Sequence, residues 1–249
     1  MQLQYVPLLQ TQRDLYAMPP NKKRFEHYIR TMTNADGSDV ELVPLVAMNP
    51  MAKDHVAALL DTFLAFDADK MGANAAAEAS EALKEEPGKF RASLVVVDDL
   101  KGGWTNRYAY EYDCRYPTPD HHRFWVTGYL WSSEAATERT AREAILVAAY
   151  RTAYVQREGP ARSLRQLLAQ EGYAYSAAGC QSPALVAEDL AYTREVLAPM
   201  LNASDKRSVI ECLFGDEAAR SLGFTPRGLS HWAGLALALN DANFANCHP

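Results

Sequence analysis

Ser93-Leu94-Val95-Val96-Val97-Asp98, then Asn106-Arg107-Tyr108-Ala109-Tyr110-Glu111-Tyr112-Asp113, then Arg123-Phe124-Trp125-Val126-Thr127-Gly128-Tyr129-Leu130-Trp131 occupy the middle of this chain. Each run is rich in β-branched or aromatic residues, and polar loops separate them, which is how strands read. Taken in order, they predict three sequential antiparallel strands. In the second, alternation puts Tyr108, Tyr110 and Tyr112 on one face. In the third, Phe124, Val126 and Leu130 oppose Trp125, Thr127, Tyr129 and Trp131. Large side chains on both faces predict a central place for that third strand.

Outward from this centre the periodicity turns helical. Phe25, Tyr28, Ile29 and Met32 predict a helix over 21–33 after an irregular start. Val40 to Met48 reads as a strand, and Asn49-Pro50 opens a helix with Val56, Leu59, Leu60 and Phe63 as its stripe. Residues 74–86, rich in Ala and Glu, predict a largely exposed helix. A long helix is expected from Glu134 to about Gln156, capped by Ser132-Ser133. Beyond Gly159-Pro160, helices are expected over 162–171, 183–198, 205–213, 217–222 and 226–239, the last opened by Thr225-Pro226. The expected fold is α+β, an antiparallel sheet of about four strands packed against the long helix and followed by a helical carboxyl-terminal layer. Residues 1–158 would form the sheet-containing half and 159–249 the all-helical half, packed as one compact unit.

A chain of 249 residues with 48% hydrophobic content can bury a sizeable core unaided. The net charge of -6 repels nucleic acid and anionic lipid slightly, so neither is an expected partner. Cys114, Cys180, Cys212 and Cys247 lie far apart without a CxxC pair, which fits free thiols and a cytoplasmic location. No secretory pattern opens the chain, and Ala233 to Leu239 is too short an apolar run to span a bilayer. Gly-x-Ser-x-Gly, Walker and Gly-x-Gly-x-x-Gly signatures are absent, and no cofactor is assigned.

In the meander, the loop from Asp99 and the end of the third strand meet at one end of the sheet. There Lys101, Trp104, Asn106 and Arg107 join Ser132, Ser133 and a helix start in a candidate pocket for a small anionic molecule. The glycines admit the ligand's approach, Trp104 covers it, and Lys101 or Arg107 neutralises it. Asp99 and Glu134 are the candidate general bases, and whether the protein is an enzyme turns on whether one of them meets a substrate. An ordinary hairpin turn with solvated charges explains the same letters. At the opposite end Cys114, Asp120, His121 and His122 supply metal-ligand types, but neighbouring histidines on an extended chain face opposite ways, so no metal is assigned. A structural role is the alternative, with a homodimer formed through the aromatic sheet face.

Glu217-Ala218-Ala219-Arg220-Ser221-Leu222-Gly223-Phe224-Thr225-Pro226-Arg227 resembles the helix, turn and recognition-helix start of bacterial helix-turn-helix regulators, over 205–238 of this chain. The resemblance implies that Gly223, Thr225, Pro226 and Arg227 aim a helix at the major groove. The segment departs from the pattern where Gly228 to Leu237 turns apolar and its charges balance. DNA regulation is therefore a third reading, after the small-molecule site and the dimer.

Overall fold

The computed structural model describes residues 1–100, 105–116 and 124–247. In chain order the elements are β1 (Gln2–Tyr5), α1 (Leu9–Tyr16), α2 (Lys22–Met32), a 3₁₀ turn (Val43–Ala47), α3 (Asp54–Ala65), α4 (Ala68–Ala82) and β2 (Lys89–Val97). Then follow α5 (Arg107–Arg115), β3 (Trp125–Trp131), α6 (Glu138–Glu158), α7 (Leu164–Ala177) and α8 (Ala187–Leu197). A second 3₁₀ turn (Ala198–Met200) leads to α9 (Lys206–Phe214), α10 (Asp216–Ser221) and α11 (Ala233–Cys247). Two compact units result: Met1–Asn106 with Pro119–Ala149, and Arg107–Thr118 with Tyr150–Pro249.

In the first unit the sheet has three strands among the described residues, in the order β1-β2-β3, and every pairing is parallel. This overturns the expected antiparallel sheet of four strands. The misread stretch is Asn106 to Asp113, which is helical from Arg107 on. Beneath its alternating tyrosines, Arg107, Glu111 and Arg115 recur every four residues, and Glu111 pairs with both arginines. Tyr112 likewise stacks on Tyr116 with ring centroids 4.8 Å apart. With no strand between them among the described residues, β2 and β3 are joined by a connection long enough to return the chain in the same direction. The run Leu94-Val95-Val96-Val97 is buried throughout, the continuous apolar signature of a strand covered on both faces. β2, not β3, is central. Val40 to Met48 contributes a 3₁₀ turn instead of a strand, and the chain start supplies β1.

β1 pairs with β2 only as far as Tyr5 opposite Ala92, whereas β3 continues alongside to Val97. On the side β1 leaves open, buried Gln12 of α1 takes the strand's place at Val96. Its Nε2 donates to the Val96 carbonyl at 2.7 Å and its Oε1 accepts the Val96 amide at 2.9 Å. Both backbone groups of a buried strand are thereby satisfied by one side chain. The helix over 74–86 begins earlier, as α4, and buries Ala68, Ala75, Ala76 and Ala79 rather than lying exposed. α6 starts later than expected, at Glu138, where Thr137 Oγ1 accepts the Thr140 amide at 3.0 Å. Ser132 and Ser133 therefore cap no helix.

The second unit is helical. Leu164, Leu167, Leu197, Ile210, Leu213 and Phe214 are among its buried core residues. Within it, buried Glu171 accepts two bonds from Arg151, at 2.7 and 2.8 Å, and one from Arg115 Nε at 2.8 Å. Arg115 also binds Glu111 and donates to the Tyr175 hydroxyl. Burial would raise the Glu171 carboxyl, but the two guanidiniums outweigh it and hold the group at about 2. No helix among the described residues is long and apolar enough to cross a membrane.

Candidate functional site

Parallel strands bring their carboxyl ends to one edge, where side chains from successive loops can meet. β2 ends into Asp98 and Asp99, and β3 ends into Ser132 and Ser133. The Ser132 amide donates to the Val97 carbonyl at 2.9 Å, carrying the ladder one step past the strands. Asp99 then accepts the Ser133 amide at 2.9 Å and the Ser133 hydroxyl at 2.7 Å, while its own amide donates to Ser132 Oγ at 3.1 Å. Ser132 Oγ lies 3.2 Å from an Asp98 oxygen and 3.0 Å from an Asp99 oxygen. A hydroxyl has one proton, so it serves one carboxylate at a time.

Asp98 is the buried centre of the cluster, 3% exposed. Asn49 Nδ2 donates to one oxygen at 3.0 Å and His55 Nε2 lies 2.8 Å from the other. His55 stands in the first turn of α3, and its side chain is one-third exposed. With Nε2 committed to Asp98, Nδ1 makes no hydrogen bond among the described residues. A carboxylate that fixes one ring nitrogen orients the other for proton transfer.

The Asn49 loop is held from behind. The Tyr16 hydroxyl donates to the Asn49 carbonyl at 2.6 Å, and Asn49 Oδ1 accepts the Met51 amide at 3.0 Å. Burial, with the Asp98 charge adding to it, pushes the Tyr16 hydroxyl well above its ordinary range, so it stays a donor. Buried Arg24 of α2 donates to the carbonyls of Met18, at 2.7 Å, and Pro50, at 3.3 Å, and burial lowers its pKa. Val46, Met51 and Leu100 are exposed apolar side chains within three positions of Asn49 or Asp99 in the chain.

Among the described residues His55 and the two serines do not form the relay of a serine nucleophile. Both serine hydroxyls bond to carboxylates rather than to the imidazole. Among the described residues no three His, Cys, Asp or Glu side chains gather as a metal site would require.

Of the residues expected at this end of the sheet, Asp99, Ser132 and Ser133 are brought together. Strands β2 and β3 run the same way, as the first and third strands of the meander would have done, so their ends share an edge under either topology. Lys101 and Trp104 lie outside the described residues. Asn106 is exposed at the end of a first-unit segment. Arg107 belongs to the second unit, with its guanidinium 4.7 Å from the Trp232 ring and its Nε 3.5 Å from Glu111. Glu134 is exposed, and its amide donates to the Trp131 carbonyl at 3.0 Å.

At the other expected cluster, Cys114 sits in α5 while Asp120, His121 and His122 lie outside the described residues. The aromatic sheet face does not exist as read: Tyr108, Tyr110 and Tyr112 are on α5, and Trp125 and Trp131 are buried. In the helix-turn-helix stretch no helix opens at Thr225-Pro226, and the next one starts at Ala233. Asp216 instead takes the amides of Arg227, Gly228 and Leu229 at 2.8, 3.1 and 3.1 Å, and Glu211 takes Arg227 Nε at 2.7 Å. Those carboxylates wrap the segment as an irregular turn.

His55 and Asn49 escape the sequence reading. Asn49-Pro50 reads as a helix-start signal, but α3 opens only at Asp54, after Lys53, which puts His55 in its first turn. No local pattern links either to Asp98, 49 and 43 residues away. Compared with protein-family models, with curated proteins and with solved structures, the chain finds no match in any of the three.

Proposed function

We propose that the carboxyl edge of the parallel sheet binds a small molecule and that His55, steered by Asp98, moves a proton on it. The observation that carries this reading is the pairing of a part-exposed imidazole with a buried strand-end carboxylate at 2.8 Å. Asp99, Ser132 and Ser133 supply polar contacts beside it, and Val46, Met51 and Leu100 offer apolar surface for the rest of the ligand. For an anionic ligand, support comes from the first turn of α3, which has no side-chain cap, and from Lys101, two positions after Asp99 in the sequence. Asp99 is retained as a ligand-orienting carboxylate, and Glu134 stays the second candidate base.

Ligand-detected NMR against a panel of small carboxylates and phosphate esters tests the reading. At least one compound should bind, and His55→Ala and Ser133→Ala should each weaken it about tenfold or more, the scale of a hydrogen bond to a charged group. Any turnover of that compound should disappear with His55→Ala. Binding untouched by both changes, in variants whose circular dichroism matches the parent, would place the function elsewhere.

A further inference from the structure

The second unit holds a cavity of about 600 Å³ between α7, α8 with its following 3₁₀ turn, and α11. Beside it α7 and α11 cross closely on small residues: a Cβ added at Gly172 would stand 2.6 Å from the Ala238 carbonyl oxygen. Around that crossing, Leu168, Leu197, Leu201 and Leu237 line the space. Tyr173 is the one aromatic residue in the lining, and its ring already packs on Tyr154 and Tyr150. The interior is therefore aliphatic.

The charges in the lining are Arg165, Arg194 and Asp241. Arg194 and Asp241 bind each other at 2.6 Å with both side chains about half exposed, which leaves that pair neutral. Arg165 is exposed and has no carboxylate partner among the described residues. An aliphatic cavity with one uncompensated cation matches a molecule with an alkyl body and a single negative head. The volume suits a small ligand, for which pockets run about 300–1,000 Å³, better than a protein partner, which needs a broad patch of about 800 Å².

We propose that this cavity binds a single-chain anionic amphiphile of the fatty-acid class, its alkyl chain among the leucines and its carboxylate at Arg165. The site lies wholly in the second unit and does not depend on the sheet-edge reading.

The test uses lipid-stripped full-length protein titrated calorimetrically with octanoate, decanoate, dodecanoate and dodecanol. Burial of each added methylene should tighten binding about fourfold until the cavity is full. Dodecanoate should bind about tenfold better than dodecanol, and Arg165→Gln, an exposed change that leaves the core alone, should remove that difference. Ala242→Phe, which intrudes into the lining, should weaken the whole series; if it fails to fold, Arg165→Gln still decides. Absence of binding by every chain, affinity independent of length, or an unchanged preference for the acid over the alcohol in Arg165→Gln would each overturn the proposal.

Discussion

Asp98 ties three segments of the first unit with one carboxylate, since Asn49, His55 and Ser132 all reach it from different elements. Replacing it with Ala leaves a buried amide and a part-buried imidazole without their acceptor, which costs about 2–3 kcal/mol for groups of this kind. Asn in its place keeps the shape and one acceptor, so we expect a loss of about 1 kcal/mol. Urea unfolding of the two variants checks both figures, and equal midpoints for Asp98→Ala and the parent would contradict them. At this scale the sequence shows residue types but not their company. Asp99, Ser132 and Ser133 were legible because each lies next to a strand end. His55 was not, because the hydrogen bond that gives it meaning spans 43 residues.

Among elements, the sheet depends on a side chain that belongs to no strand. Gln12 closes the edge of β2 at Val96, so Gln12→Leu, though similar in size and more apolar, should destabilise by about 2–3 kcal/mol by orphaning a buried amide and carbonyl. Hydrogen exchange should report faster exchange at Val96 in that variant than in the parent; unchanged protection and stability would contradict the role. Strands β2 and β3 were readable from their apolar runs, and the carboxyl-terminal helices from their spacing, except the last, which opens at Ala233 and not at Thr225-Pro226. α5 was not, because its tyrosines alternate with period two while its Arg107-Glu111-Arg115 ladder repeats every four residues. The ladder prevails because helical geometry satisfies three charged side chains at once, two of them nearly buried.

Acid acts on the whole molecule through carboxylates that folding pairs with cations. Burial opposes ionisation of Glu171, but Arg151 and Arg115 hold it at about 2 against an ordinary 4.5. In Glu111, nearly buried, Arg115 and Arg107 outweigh the same opposition and lower the pKa. Folded values below unfolded ones mean stabilisation that is complete above the unfolded pKa and lost as pH falls toward the folded one. The urea midpoint should therefore hold steady above about pH 5 and fall between about pH 4.5 and 2. Glu171→Gln should start less stable and show a shallower fall over that window; a slope equal to the parent's would contradict the assignment. Composition and local periodicity alone determined that this is a core-forming α+β chain, where two of its strands lie, and that its carboxyl-terminal half is helical. Apolar spacing within one segment carries that information. Strand direction, the helicity of α5 and the joining of His55 to Asp98 were decided only by tertiary structure. Each depends on which distant surfaces are buried together, and the free energy of that burial is a property of the assembled core rather than of any segment.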